Sequence, residues 1–480
     1  MKDLNYKLFH ESLTSNNNGT TAIESTLVII PSIISVYILT LIRSLQDSKK
    51  ETVTRSYWSQ FFLEFFIIIM PSIMCFTILA DHLVIVYGAL FLIGIVLLLK
   101  NHVLKTMLTS CFGEIQWKTH RDIVSYRSDP LHRSYITNFR AITNMLTVLC
   151  ILAVDFHIFP RRFAKTETFG YGVMDFGVGL FIVGNALVHP EAQFKVGPRI
   201  WKTALQCIPL IFLGIGRLIL TNQVEYHEHV TEYGQHWNFF FTLAVTKLAC
   251  SIILKTVKGS TNVYFFFTIL MICSYETVLQ CGLQKWILGN APRLDLVSAN
   301  REGLASIVGY VALYFGGVSL GRILRRFDTL NPVKNLRLAK ILVSISTICW
   351  IVTYTCDKTF GISRRLANCG YLFWMISFTT TVLACLLVIE CFSLYLKYVN
   401  VFSKRSQPNP NVAFVPNLLA AINFNGLTFF LLANLFTGII NLKLKTFNLN
   451  PVTSLIILIL YMLLNCMTVS VLHHKKIKLL

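Results

Sequence analysis

Residues 59–100 read SQFFLEFFIIIMPSIMCFTILADHLVIVYGALFLIGIVLLLK, two apolar runs with almost nothing but Asp81 between them. Each run is about 20 residues long, the length an α-helix needs to cross a bilayer core. The pair predicts two membrane spans joined by a tight hairpin. The same pattern recurs along almost the whole chain. It predicts helices at 26–45, 59–79, 82–100, 135–155, 171–189, 201–221, 237–257, 262–281, 303–321, 336–355, 369–396, 415–441 and 452–472. The fold class is therefore an all-α integral membrane protein, a polytopic bundle of about 13 transmembrane helices.

Composition points the same way. Of 480 residues, 54% are hydrophobic and only 14% charged, where a soluble protein carries roughly a quarter charged. No polar block is long enough for a separate soluble domain. The expected division is a polar luminal tail at 1–25, a multi-pass domain at 26–472 and a basic cytosolic tail at 473–480. The first 25 residues lack the basic-then-apolar order of a cleavable signal, so the first span is expected to act as its own signal-anchor. Thirteen cysteines are scattered without a CxxC pair. That offers neither a zinc nor a redox motif, and most read as small buried hydrophobes. A net charge of +20 in a soluble protein points to nucleic acid; here the basic residues sit in short loops, where topology explains them.

Placing the N-terminus in the lumen puts Lys and Arg on the cytosolic side in roughly two-to-one excess, as the positive-inside rule requires. The Asn18-Gly19-Thr20 sequon needs the same luminal tail for glycosylation at Asn18. An odd number of spans then leaves the C-terminus cytosolic. It ends Lys476-Ile477-Lys478-Leu479-Leu480, which resembles a dilysine retrieval signal for the endoplasmic reticulum and is also a basic tail that topology alone expects. Gly317 and Gly321, four apart, permit close helix packing.

Polar residues that resist the topology carry the chemistry. Residues 153–179, AVDFHIFPRRFAKTETFGYGVMDFGVG, form a luminal loop in which Arg161, Arg162 and Lys165 run against the positive-inside bias. A lipid phosphate would use them, since Arg presents a planar fork to phosphate oxygens. The alternative is a self-neutralised loop, with Asp155, Glu167 and Asp175 pairing the basic residues. A second luminal cluster, at 226–238, contains His229, Glu232 and His236, spaced to share a helix face, and Asn238. It reads as substrate binding, proton transfer or solvated loop polarity; with no HExxH, no metal is expected. Asn300 and Glu302 open the ninth span, and Asn434 lies near the luminal end of the twelfth. Their amides suit hydroxyl-rich ligands, and Asn is also an ordinary helix cap. Glu64, Arg140, Arg217, Lys247, Glu276 and Glu390 fall inside spans and must face partners or water. No serine-nucleophile elbow, phosphate loop or cofactor fingerprint occurs, so residue chemistry alone leaves an enzyme or a transporter.

The stretches AVDFHIFPRRFAKTETFG, HEHVTEYGQHWNFFFTLA, ANREGLASIVGY and LLANLFTGIINL together resemble the glycosylphosphatidylinositol (GPI) inositol-acyltransferase family, the fungal GPI-anchored wall transfer proteins and mammalian PIG-W. The resemblance runs from about residue 20 to 470 and departs at His157, where the family pattern has proline. It implies a multi-pass enzyme of the endoplasmic reticulum membrane that moves a long acyl chain, typically palmitoyl, from acyl-CoA to the inositol of glucosaminyl-phosphatidylinositol. Acyl-CoA is then a co-substrate; no cofactor, nucleic acid or obligate protein partner is implied. The reaction needs a base for the inositol hydroxyl and a donor or cation for the oxyanion. Asp155, where the fourth span meets the lumen, is the expected base, Lys165 its electrostatic partner and His236 the other candidate base. Arg161 and Arg162 are expected to hold the lipid phosphate. Asp175, His229, Glu232, Asn238, Asn300, Glu302 and Asn434 are expected to line the substrate. The competing reading is a transporter or flippase of a lipid-linked GPI precursor.

Overall fold

The computed structural model describes residues 17–48, 56–100, 133–197, 199–224, 230–257, 259–327, 332–404 and 415–479. Twelve helices among them are long and apolar enough to span a bilayer. In chain order the elements are α1 (Ala22–Gln46), α2 (Tyr57–Phe76), α3 (Ala80–Lys100), α4 (Ser134–Ala153), the shorter α5 (Val173–Leu187), α6 (Ile200–Ile219), α7 (Phe239–Thr256), α8 (Thr261–Leu288), α9 (Arg301–Phe327), α10 (Asn335–Thr359) and α11 (Cys369–Leu396). They finish with α12 (Asn417–Phe424), α13 (Gly426–Lys443) and α14 (Pro451–His474). No strand occurs among the described residues.

Two expected spans differ in form. The run at 171–189 yields α5, whose 15 residues cover only about 22 Å at 1.5 Å per residue. Its apolar side chains, Phe176, Val178, Leu180, Ile182, Val183 and Leu187 among them, are buried in protein. Hydropathy does not separate such a run from a lipid-facing one. The run at 415–441 is broken at Asn425 (φ −118°, ψ 44°), which divides α12 from α13. The Asn425 amide serves main-chain groups: its Nδ2 donates to the Ile477 carbonyl at 3.0 Å, and Leu479 N–H donates to its Oδ1 at 3.2 Å. The C-terminal tail is thereby fastened to the break.

The chain forms two compact units. The first comprises residues 1–21, 161–326 and 344–380; the second comprises 22–160, 327–343 and 381–480. In the first, α9 packs on α5 through the Gly317–Gly321 face. A Cβ on Gly317 would lie 2.6 Å from Ala186 Cβ, so only glycine allows that approach. In the second, α4 is buried along most of its length and packs against α12, α13 and α14. α3 instead exposes Val84, Ile85, Phe91 and Leu92, the face of a helix whose solvent is lipid.

Three carboxylates inside the spans share one task. Glu64 of α2 is paired with Arg43 and accepts the Leu418 N–H at the start of α12, at 2.7 Å. Glu276 of α8 accepts Cys369 N–H, the first of α11, at 2.9 Å. Glu390 of α11 accepts Ser134 Oγ–H and the Tyr135 N–H, at 3.0 Å, at the start of α4. Each places negative charge on helix N–H groups that have no partner within their own helix, at the positive end of the helix dipole.

Candidate functional site

Within the first unit, four loop regions meet in a buried charge centre. Asp175, at the start of α5, is fully buried and closes its own turn, accepting Gly172 N–H at 2.9 Å and Thr166 Oγ1–H at 2.8 Å. Arg364, from the loop before α11, donates Nε–H to Asp175 at 2.7 Å and reaches Glu232 with Nη1 at 3.2 Å. Lys165 Nζ donates to the same Glu232 oxygen at 2.8 Å. The Arg364 carbonyl accepts Tyr310 O–H at 3.2 Å, and Tyr371 O–H donates to the Asp175 carbonyl at 2.8 Å. Both ends of the arginine are thus fixed.

Arg365 turns the other way. Its Nη2 lies 2.9 Å from Glu302, which is fully buried and also holds both Nη groups of Arg293, with Arg301 Nε at 3.7 Å. Removing one partner of such a buried pair leaves an uncompensated charge and costs about 3–5 kcal/mol.

The electrostatics follow from this geometry. Burial pushes the Glu232 carboxyl up, but Lys165, Arg364 and Arg217 outweigh it and hold the group down at about 2. Burial works against the Arg364 charge; Glu232 and Asp175 overcome it and hold the guanidinium well above its usual value. Lys165, Arg293, Arg301, Arg364 and Arg365 face the carboxylates Asp175, Glu232 and Glu302. With Arg217 near Glu232 and Glu167 near Arg365, these described residues comprise six cations and four carboxylates. The centre therefore attracts an anion.

Main-chain bonds stitch the loops together. Asn300 Oδ1 accepts His236 N–H at 2.8 Å, and Gln235 N–H donates to the Ala299 carbonyl at 3.0 Å. Gly234 makes that junction possible: its φ is +120°, and a Cβ there would lie 2.5 Å from Asn300 Cα. The N-terminal segment joins the same assembly. Asn17 Nδ2 donates to the carbonyls of Arg161 (3.1 Å) and Lys165 (3.0 Å), and Thr20 N–H donates to the Tyr171 carbonyl at 2.7 Å. Gly170 N–H ties this loop to the Ile362 carbonyl at 2.9 Å.

The residues expected from sequence fall in distinct places. Lys165, Asp175, Glu232 and Glu302 are in the centre. Lys165 and Asp175 pair with groups from other loops, Glu232 and Arg364. Arg161 and Arg162 sit half-buried in a short helical turn beside it, the Arg162 guanidinium 4.9 Å from the Phe163 ring centre. Asn238 caps α7, accepting Phe240 and Phe241 N–H at 3.0 and 3.3 Å, and Asn300 engages its amide with main-chain groups. His236 and Asn18 are exposed. His229 lies outside the described residues. Asp155 and Asn434 belong to the second unit. There Asp155, 5% exposed just past α4, accepts Asn441 Nδ2–H at 2.8 Å. Asn434 is exposed on α13 and bonds the Phe430 carbonyl at 2.7 Å. Among the described residues, no group of three or more His, Cys, Asp or Glu could hold a metal ion.

Sequence reading missed Arg364, Arg365, Arg293 and Asn17. The paired Arg364-Arg365 offered the same signal as Arg161-Arg162, basic charge in a loop where the topology disfavours it.

Fold and site define a multi-pass helical membrane protein whose loops gather a buried, cation-rich centre. The chain belongs to the GWT1 family, whose family model matches residues 6–472. It is 31% identical to the glucosaminyl-phosphatidylinositol-acyltransferase PIGW of Bos taurus over 98% of each chain, and 31% identical to that of Homo sapiens over 97% of this chain and 98% of the relative. It is 35% identical to GPI-anchored wall transfer protein 1 of Yarrowia lipolytica, over 72% of this chain and 73% of the relative.

Proposed function

We propose that this chain is an O-acyltransferase of GPI-anchor biosynthesis, moving a long-chain acyl group, palmitoyl in the expected case, from acyl-CoA to an inositol hydroxyl of glucosaminyl-phosphatidylinositol. The observation that carries the reading is the family match over nearly the entire chain to relatives named for acylating this glycolipid. In the reaction the hydroxyl oxygen attacks the thioester carbonyl, the C–S bond breaks as the ester C–O bond forms, and the hydroxyl proton passes to a base. We assign that base to Asp155, a buried carboxylate oriented by the Asn441 amide. Lys165 is assigned to charge stabilisation, because Glu232 holds its ammonium in place at 2.8 Å. Arg161 and Arg162, beside the cation-rich centre, are assigned to the glycolipid phosphate.

The location we propose is the endoplasmic reticulum membrane, with the N-terminus luminal and the C-terminus cytosolic. Support comes from the basic bias of the loops and from Asn17 and Thr20, which hold the Asn18 sequon against the Lys165 loop. The parity of that arrangement requires α5 to cross the membrane despite its length.

Purified protein in nanodiscs, given acyl-CoA and glucosaminyl-phosphatidylinositol, should release free CoA and form the acylated glycolipid. Glycolipid movement across the bilayer with no CoA release would replace the enzyme with a carrier. Arg161→Gln with Arg162→Gln should weaken use of the glycolipid far more than use of acyl-CoA. Unchanged glycolipid dependence at normal protein level would make both arginines structural.

A further inference from the structure

Two thiols outside the proposed chemistry face each other at the base of the loop that carries Arg364 and Arg365. Cys356 lies in the last turn of α10 and Cys369 is the first residue of α11, with their Sγ atoms 3.8 Å apart. Several contacts hold them there. Phe360 and Gly361 N–H close the end of α10 on the Cys356 carbonyl, and Cys369 N–H is held by Glu276. Gly370 lets α11 approach, since a Cβ there would lie 3.2 Å from Cys356 Cβ. Between the cysteines, Asn368 donates to the Gly361 carbonyl and accepts Ser363 and Tyr371 N–H, so the loop is folded on itself. Gly170 N–H on the Ile362 carbonyl joins it to the Lys165 loop, and Asn17 and Thr20 join that loop to the N-terminal segment.

We infer that Cys356 and Cys369 form a disulfide that closes the loop presenting Arg364 and Arg365 to the charge centre. The inference rests on the luminal placement proposed above, because the lumen of the endoplasmic reticulum is a compartment in which disulfides form and persist. Both S–H bonds break and one S–S bond forms. Two protons leave to water, and two electrons pass to a disulfide oxidant of that compartment, an oxidoreductase or glutathione disulfide, which becomes the dithiol. The bond fixes the two helix ends that flank the loop carrying Arg364 and Arg365, and it limits the freedom of that loop in the unfolded chain.

The test is thiol mapping on the full-length protein from membranes, denatured in SDS with N-ethylmaleimide before and after reduction. Cys356 and Cys369 should be alkylated only after reduction, and a peptide linking the two should appear without reductant. In Cys356→Ser, Cys369 should become alkylated without reductant, and the reverse in Cys369→Ser. An epitope tag ahead of Met1, probed with protease in sealed microsomes, reports which face this unit's loops occupy. A protected tag with both thiols free, or with either linked to another cysteine, overturns the disulfide. A digested tag overturns the luminal placement itself, and the inference falls with it.

Discussion

The loops of the first unit and the polar end of the second bury charge in different ways. Around Arg364 and Arg365, carboxylates are matched by guanidinium groups, and Glu302 alone touches three arginines. Around Asp155 the carboxylate takes a hydrogen bond from a neutral amide, that of Asn441. An arginine lattice with surplus cation favours an anion, and within it Lys165 and Arg364 hold the Glu232 carboxyl at about 2 against the effect of burial. The Asn441 amide orients the Asp155 carboxylate. With substrate holding proposed for the first and proton transfer for Asp155, the two regions order the expected effects.

The largest effect belongs to Asp155→Asn. Loss of a general base should lower turnover per folded molecule about 10²- to 10⁴-fold in nanodiscs while the protein stays folded. Near-normal turnover with a dead His236→Ala would move the base to the first unit and erase the contrast. Next comes Arg364→Gln, which strands Asp175 and part of the charge on Glu232. It should destabilise the protein by about 3–5 kcal/mol, read from denaturant unfolding in detergent. A fall in turnover with unchanged stability would make Arg364 a substrate contact instead.

A smaller effect is acid lability. Glu232 is held at about 2 in the folded protein against an ordinary value of 4.5. A depressed carboxylate contributes stability that is complete above the unfolded value and is lost as pH falls through the folded one. The loss should therefore run from near pH 4.5 toward pH 2, amount to at most about 3 kcal/mol, and disappear from the acid limb of Glu232→Gln. Parallel acid limbs for the two proteins would show that Lys165 and Arg364 do not govern this group. Smallest is Asn300→Ala, which leaves the His236 N–H, at a part-buried junction, without its acceptor. It should cost about 1–3 kcal/mol of stability with little change in the affinity for acyl-CoA. A selective loss of glycolipid affinity would instead put Asn300 on the substrate.

Much of this architecture was legible because lipid imposes a simple rule, and runs such as residues 82–100 obey it. The rule fails where an apolar run is buried by protein, as in α5. It also misses the break at Asn425, whose amide holds the C-terminal tail and which no proline marks. For the site, residue type and topology singled out Lys165, Asp175, Glu232 and Glu302. They did not say which loops meet, since the partner of Lys165 lies 67 residues away and that of Asp175 lies 189 away. Arg364 and Arg365 were visible as misplaced charge, but nothing local tied them to those acids.

The capping glutamates inside the spans also bear on synthesis. Glu64 enters the membrane with Arg43 already made 21 residues earlier, whereas its second partner, Leu418 N–H, follows 354 residues later. At about 5–20 residues per second, the interval is on the order of 20–70 s. Glu390 reverses the order, arriving 255 residues after the Tyr135 N–H that it serves. During translation Arg43 is therefore the early counter-charge for Glu64, and the start of α4 waits for α11. The nascent chain carries provisional pairings that only the last quarter of the sequence makes permanent.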